Sequence, residues 1–318
     1  MSESIRVSFG SAVELGLVEG KLAARPRTAY LLLGMGACRG RCAFCPQSAL
    51  GGQELIARVS WPQFSPDSVL EALCASTSIE RVCFQCQDEE TAKDRLPILV
   101  GRVSTWHPVS VSMPPWEADF MAELKVAGAE RLTIPMDCAS PGLFRAVKGR
   151  GMEENLRALG NAVGIFGRGM VGTHLIVGLG ETEEEVVSLL GRLLSMGVKP
   201  SLFALTPVKG TLMGWKSPPP LPSYRRLQLA LFSMEELGAK PEGFAFGGGR
   251  LKSFPTGRTA LEAAVKSGKP FETRGCPGCN RPFFNERVSG PLFNFPYPPS
   301  PEEVKTIEED LFWRRSGS

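Results

Sequence analysis

Histidine is nearly missing from this chain: His107 and His174 are the only two in 318 residues. Neither lies near the cysteine-rich loop described below, so a compact zinc site of paired cysteines with a nearby histidine has no local fourth ligand. No apolar run approaches the roughly 18 residues that a membrane-spanning helix needs, and no membrane partner is expected. The net charge is only +3, without a block of lysines or arginines, which argues against a nucleic-acid partner. The start, Met1-Ser2-Glu3-Ser4-Ile5-Arg6, lacks the basic-then-apolar layout of a signal peptide. What is present is ordinary for a globular chain, 43% hydrophobic and 22% charged, with room for one large α/β domain. The exception is cysteine. Nine cysteines without an export signal point to metal ligation in a reducing compartment, and the expected location is the cytoplasm.

Three of the nine are Cys38, Cys42 and Cys45, at C-x3-C-x2-C spacing directly after the apolar run Tyr30-Leu31-Leu32-Leu33. Thiolates hold iron–sulfur clusters, and a cluster normally has four protein ligands. Three cysteines in one short loop can cap three irons of a [4Fe–4S] cube and leave the fourth open to a small molecule. Gly34, Gly36 and Gly40 let the backbone bend around such a cube. A zinc knuckle or three reduced surface thiols are the plainer alternatives.

Along the chain, apolar spacing predicts a leading helix within 8–23 and a buried first strand at 28–33. Ser65 and Pro66 start a helix as N-cap and first helical position. Cys74 on it is expected in the core, because a free cysteine behaves as a small hydrophobe. Strand-like runs follow at 79–84, 109–113, 131–136, 171–177, 201–205 and 243–246. Helical stretches fall near 89–102, 116–127, 140–163, 182–196, 222–237 and 257–267. This alternation indicates βαβ units on a parallel sheet. Seven strands with no dinucleotide fingerprint after the first favour a TIM-type (β/α) barrel, complete or partial, over an open sheet. Its site is expected at the C-terminal ends of the strands. The division expected is a barrel at 1–269 and an extension at 270–318, proline-rich and cysteine-containing, packed over the barrel mouth and ending in a helix at 301–313.

Gly178-Leu179-Gly180-Glu181-Thr182 joins a strand to a helix and is either a tight turn or a place where backbone approaches a ligand. A further pair of C-x2-C motifs, Cys83/Cys86 and Cys276/Cys279, lies far apart in sequence, so no local zinc ribbon explains them. If the tail crosses the barrel, these four thiols converge and can bind a second cluster; Cys138 competes as a ligand. Otherwise Cys276 and Cys279 staple the tail with zinc.

The motif Cys38-x3-Cys42-x-Phe44-Cys45, extended by Pro46-Gln47-Ser48, resembles the signature of the radical S-adenosylmethionine (SAM) enzymes, and within them the biotin synthase branch. The resemblance implies that the open iron chelates SAM, that one electron cleaves it, and that the resulting 5′-deoxyadenosyl radical abstracts hydrogen from carbon. By the same resemblance Gly178, Gly180 and Glu181 lie against SAM, Asp137 binds its ribose, and Lys209, in Val208-Lys209-Gly210-Thr211, lies near the adenine. Lys209 reads equally as a solvated surface lysine. Where that branch has an asparagine two places before the aspartate, this chain has Pro135. Cys83 and Arg250 resemble the cysteine and arginine beside that branch's auxiliary, sulfur-donating cluster. The tail from Cys276 to Glu286 resembles biotin-synthase-like proteins that form a two-component lipoyl synthase. It implies sulfur insertion into an octanoyl chain carried by a small protein, a paralogous second component, and a reductant such as ferredoxin or flavodoxin. Biotin synthase itself, another radical SAM enzyme on a small free substrate, and a non-catalytic iron–sulfur or zinc protein remain alternatives.

Overall fold

A computed structural model describes residues 4–34, 38–50 and 55–312. In chain order the main elements are β1 Ile5–Val7, α1 Phe9–Glu14, β2 Thr28–Leu33, β3 Gln63–Phe64, α2 Pro66–Ala75, β4 Arg81–Cys86 and α3 Glu90–Val103. Then come β5 Val109–Ser112, α4 Ala118–Val126, β6 Ala129–Thr133, α5 Pro141–Lys148, α6 Met152–Phe166, β7 Val171–Val177, α7 Glu183–Met196, β8 Val198–Ala204 and α8 Leu221–Glu236. The chain ends with β9 Ala245–Gly247, β10 Arg250–Ser253, α9 Arg258–Lys266 and α10 Pro301–Phe312. No helix among the described residues is long and apolar enough to cross a membrane.

Six strands, β2-β4-β5-β6-β7-β8, pair in parallel in that order, and β1 and β3 add antiparallel at the β2 edge. All six residues of β2 are buried, as its unbroken apolar run requires of a strand covered on both faces. Side chains from all six parallel strands (Tyr30, Cys83, Ser112, Arg131, His174 and Phe203 among them) line one cavity, so the sheet curls into a partial TIM-type barrel. The outward faces pack under the helices in one continuous core.

Local signals explain most boundaries. The Ser65 hydroxyl accepts from Ser68 N–H at 3.2 Å and caps α2. Thr182 and Glu185 form a capping box at the start of α7. Four expectations fail, each for a physical reason. The leading helix stops at Glu14 because Gly16 turns left-handed, φ 70°. The helix expected over 140–163 is two helices, broken where Gly149 closes α5 at φ 72°. The strand at 243–246 never joins the sheet: Gly248 and Gly249, both at positive φ, fold β9 back on β10 as a separate antiparallel hairpin. Cys74, expected in the core, is exposed on α2.

The extension takes a different place from the one expected. Thr28 Oγ1 donates to Gly278 O at 3.1 Å and Arg81 Nε to Pro277 O at 3.0 Å. Thr28 and Arg81 begin β2 and β4, so the Cys276–Cys279 turn sits at the N-terminal ends of these strands, opposite the mouth. Farther along, Asn285 Nδ2 donates to Ala204 O and Asn294 Nδ2 to Leu202 O, at 3.2 and 3.3 Å, on the unpaired side of β8. The extension therefore closes the seam that six strands leave open. Arg225 on α8 clamps it there, donating to Phe293 O at 2.7 Å and to Leu292 O.

Candidate active site

The cavity, about 480 Å³, runs nearly the length of the barrel. At the C-terminal end of the strands the loop after β2 presents Cys38, Cys42 and Cys45. Backbone bonds tie this loop down: Arg39 N donates to Asp88 O, Ala43 N to Val147 O, and Ala49 N to Gly40 O, all within 2.8–3.0 Å. Asp88 N also donates to Cys38 Sγ at 3.4 Å. Burial raises the Cys42 thiol, with Lys148 opposing it. Burial, followed by the charge of Cys42, pushes Cys45 up to about 12. A set of half-buried cysteines on one short loop suits a polynuclear cationic centre. Gly40 supplies the room, since a Cβ there would stand 3.3 Å from Cys38 Sγ and 3.9 Å from Cys42 Sγ. Among the described residues no three His, Cys, Asp or Glu side chains gather about one ion position. Gly36 lies outside the described residues.

Asp137 follows β6 in a left-handed conformation, φ 63°, held by two bonds to β7: its N–H donates to His174 O and its carbonyl accepts from Ile176 N–H, both 2.8 Å. Its carboxylate accepts from Lys148 Nζ and stands 3.1 Å from His174 Nε2. Burial alone would raise this carboxyl, but the Lys148 ammonium and then His174 hold it well below the usual range. The aspartate expected to meet a ribose thus faces the cavity with two partners in place, and the Lys148 charge acts on both it and Cys42.

At the far end, Cys83 on β4 meets Cys276 and Cys279. Burial, then Cys276 and Cys279, raise the Cys83 thiol, while the Arg281 guanidinium lowers it. Tyr30 Oη lies 3.5 Å from Cys279 Sγ, and Cys83 and Cys279 pack on the Tyr30, Leu32, Trp61 and Phe284 cluster. Gly275 is needed there, as a Cβ would stand 2.8 Å from Cys279 Sγ. Cys86 does not join them. Cys86, the last residue of β4, lines the cavity too and packs in part against the main core, but it is not among the residues packed on the cluster that holds Cys83 and Cys279. The group of four expected from the two C-x2-C motifs is a group of three. Cys138 is buried in the main core beside Asp137, at the other end.

Other expected site residues are elsewhere. Glu181 accepts from Gly178 N–H at 2.5 Å and from Gly180 N–H at 3.0 Å, so the chain's own carboxylate occupies the turn's amides. Neither these residues nor the exposed Lys209 line the cavity. Arg250, exposed on the β9–β10 hairpin, lines a separate crevice with Glu181 and Arg226. The arginine beside the second thiols is Arg281, with its guanidinium 4.2 Å from the Phe203 ring and 4.6 Å from Phe284. No sequence motif marked it. Its place two residues after Cys279 was the available signal.

The family description "Radical SAM superfamily" matches residues 32–193, from β2 through most of α7. The chain belongs to the radical SAM superfamily. Membership implies a [4Fe–4S] cluster and SAM, and the loop of Cys38, Cys42 and Cys45 fits that cluster. Among solved structures, HydG, a maturase of the [FeFe]-hydrogenase, is similar at TM-score 0.52 and 14% identity, over 64% of this chain and 49% of that one. Methylornithine synthase (PylB) is similar at TM-score 0.51 and 14% identity, over 71% of this chain and 67% of that one. The match thus spans about half the length of HydG, and at this identity both likenesses concern the fold alone. No curated protein matches the chain.

Proposed function

We propose that this radical SAM enzyme inserts sulfur into an octanoyl chain carried on a lysine of a small protein, as a component of a two-protein lipoyl synthase. The observation that carries this reading is the pair of thiol groups facing one cavity from opposite ends: Cys38, Cys42 and Cys45 at one, Cys83, Cys276 and Cys279 at the other. The first group holds the cluster that binds SAM, and the second holds an auxiliary iron–sulfur cluster, the sulfur source. When bound, the first cluster and SAM supply one-electron cleavage of the sulfonium and a radical that abstracts hydrogen from carbon.

The chain's own part is to enclose and orient. Phe203, Ile176 and Leu32 give the middle of the cavity an apolar lining suited to an alkyl chain. Lys148, fixed by Asp137, sets a cation beside Cys42, and Arg281 sets one beside Cys83, each opposing the anionic charge of a thiolate-ligated cluster. Residues 270–318 act as an extension that completes the barrel of 1–269 and carries two of the auxiliary ligands. The partners of this reading are the octanoylated carrier, a paralogous component making the other C–S bond, and a low-potential reductant, in a reducing cytoplasm where all nine cysteines stay free.

Anaerobically reconstituted protein should hold about eight irons per chain, four per cluster. A Cys276→Ala/Cys279→Ala variant should retain about four. A parent count near four, unchanged in the variant, refutes the second cluster. Incubation with an octanoylated peptide and separately with dethiobiotin, read as mass gain of sulfur, distinguishes the proposed substrate from that of biotin synthase.

A further inference from the structure

Two buried glutamines line the cavity beside the first cysteine loop: Gln47, two residues after Cys45, and Gln87, just past the end of β4. Gln87 Nε2 donates to Gln47 Oε1 at 2.9 Å, and Gln87 Oε1 accepts from Arg6 Nη2 at 2.7 Å. Arg6 is a buried cation on β1, and its guanidinium also donates to Gly34 O. Gly34, at φ 111°, makes room for this arrangement. A Cβ there would stand 2.8 Å from Gln87 Cβ and closer still to Gln87 Oε1. Three segments far apart in sequence are thus joined head to tail, from the Arg6 cation through Gln87 to Gln47.

The chain of bonds ends at sulfur. The Gln47 N–H donates to the Cys45 thiol, opposing the rise that burial gives it. Asp88, next to Gln87, donates its N–H to Cys38 Sγ at 3.4 Å, and its carbonyl accepts from Arg39 N–H at 3.0 Å. Gln87 N–H is itself tied to Leu33 O at 3.0 Å. The pair 87–88 therefore supports an N–H···S bond at either end of the loop, at Cys38 through Asp88 and at Cys45 through Gln47. Hydrogen bonds to the sulfurs and nearby positive charge both favour the more negative, reduced state of a cluster, which raises its reduction potential. Arg6 polarises the two amides in one direction, with the positive end of each toward the loop.

We propose that Gln87, held by Arg6 and holding Gln47, is a positioning residue that raises the reduction potential of the cluster on Cys38, Cys42 and Cys45. The proposal rests on membership of the radical SAM superfamily and not on sulfur insertion. Gln87 acts through the two N–H···S bonds. One electron from an external one-electron reductant enters the cluster, and no atom or proton passes along the glutamines.

The test is an anaerobic redox titration of reconstituted full-length protein. Its readout is the electron paramagnetic resonance signal of the reduced cluster that SAM perturbs, which separates the first cluster from any at the second thiol group. Gln87→Met, close to glutamine in length, should keep the parent's iron content. At a fixed potential its reduced-to-oxidised ratio should fall about tenfold, a midpoint lower by about 59 mV. Gln87→Glu sets a carboxylate against Arg6 and removes the donor to Gln47, so it should lower the midpoint at least as far. Gln47→Leu should shift it in the same direction. Gln87→Met/Gln47→Leu should shift it no farther than the larger single change, because the two residues act as one chain. A midpoint unchanged or raised in variants that keep their iron overturns the proposal, and fully additive shifts overturn the chain. If Gln87→Met fails to fold or to hold the first cluster, Gln47→Leu decides, since it leaves the Arg6–Gln87 bond in place. Loss of that cluster in both variants assigns the glutamines to building the loop and overturns the tuning role. A parent without a SAM-responsive signal overturns the assignment of the first cluster instead.

Discussion

Replacing Asp137 by asparagine tests how the first thiol group is supported. The carboxylate and the Lys148 ammonium are only 5% and 6% exposed, so the substitution leaves a buried cation without its counter-charge. Breaking one side of a buried pair costs about 3–5 kcal/mol. At about 2–3 °C per kcal/mol for a chain of this size, the melting temperature of the metal-free protein should fall by about 6–15 °C. Lys148→Met leaves the buried Asp137 carboxylate without its main counter-charge and should cost less only to the extent that His174, 3.1 Å away, compensates it. The double variant should melt above the sum of the two losses, since the pair is then missing as a unit. The pH dependence has a definite sign. The folded carboxyl titrates below its unfolded value, near 4, so the unfolded chain binds more protons in that window and stability rises with pH. The pair's contribution is complete above about pH 5 and fades as pH falls further. Circular dichroism melts at pH 7 and pH 4 should therefore show a larger gap between parent and Asp137→Asn at the higher pH. An asparagine variant within about 0.5 kcal/mol of the parent at pH 7 refutes this account of the pair.

Cys83→Ala should remove about four irons per chain while Cys86→Ala removes none, because Cys83 packs with Cys279 on the Tyr30 cluster and Cys86 does not; iron analysis of both reconstituted variants decides it. Gly275→Ala should do the same as Cys83→Ala, since its methyl meets Cys279 Sγ, and should leave reductive SAM cleavage in place. Arg225→Met should leave the carbonyl of Leu292 unpaired at a cost of about 1–3 kcal/mol and take one of two donors from Phe293 O, which keeps Gln228 Nε2 at 2.9 Å, loosening the extension; limited proteolysis should then cut within 272–300 before the barrel. Arg250→Ala should leave iron content and SAM cleavage unchanged, because Arg250 lines a crevice apart from both thiol groups.

Much of the barrel was legible because its signals are local. The β2 run, the Ser65 cap and the Thr182 capping box each fix an element without help from the rest of the chain. The first cysteine loop is local in the same way, with three cysteines and Gly40 in one segment lining the cavity. Misreadings arose where spacing was taken without geometry. Cys83 and Cys86 look like a ligand pair in a string of letters, yet only Cys83 packs with Cys279 on the Tyr30 cluster. Arg250 resembles an arginine beside an auxiliary cluster, yet Gly248 and Gly249 before it, both at positive φ, make a hairpin turn that carries it elsewhere. The turn at Gly178 read as either a tight turn or a place where backbone approaches a ligand, and Glu181, three residues on, takes its amides. The position of the extension was not legible at all, because its bonds join residues some 250 apart, such as Thr28 with Gly278 and Arg27 with Asn280. Only that long-range closure brings Arg281 between Phe203 and Phe284, where no local pattern places a cation.

The most direct measurement follows the sulfur atom. Protein reconstituted with heavy-isotope sulfide, freed of excess sulfide, and supplied with SAM, reductant and an octanoylated carrier peptide should yield a peptide bearing the heavy sulfur, with none from the Cys276→Ala/Cys279→Ala variant. Heavy sulfur transferred equally by that variant, or a parent that cleaves SAM and leaves the peptide without sulfur, contradicts the assignment of the far thiol group as the donor site.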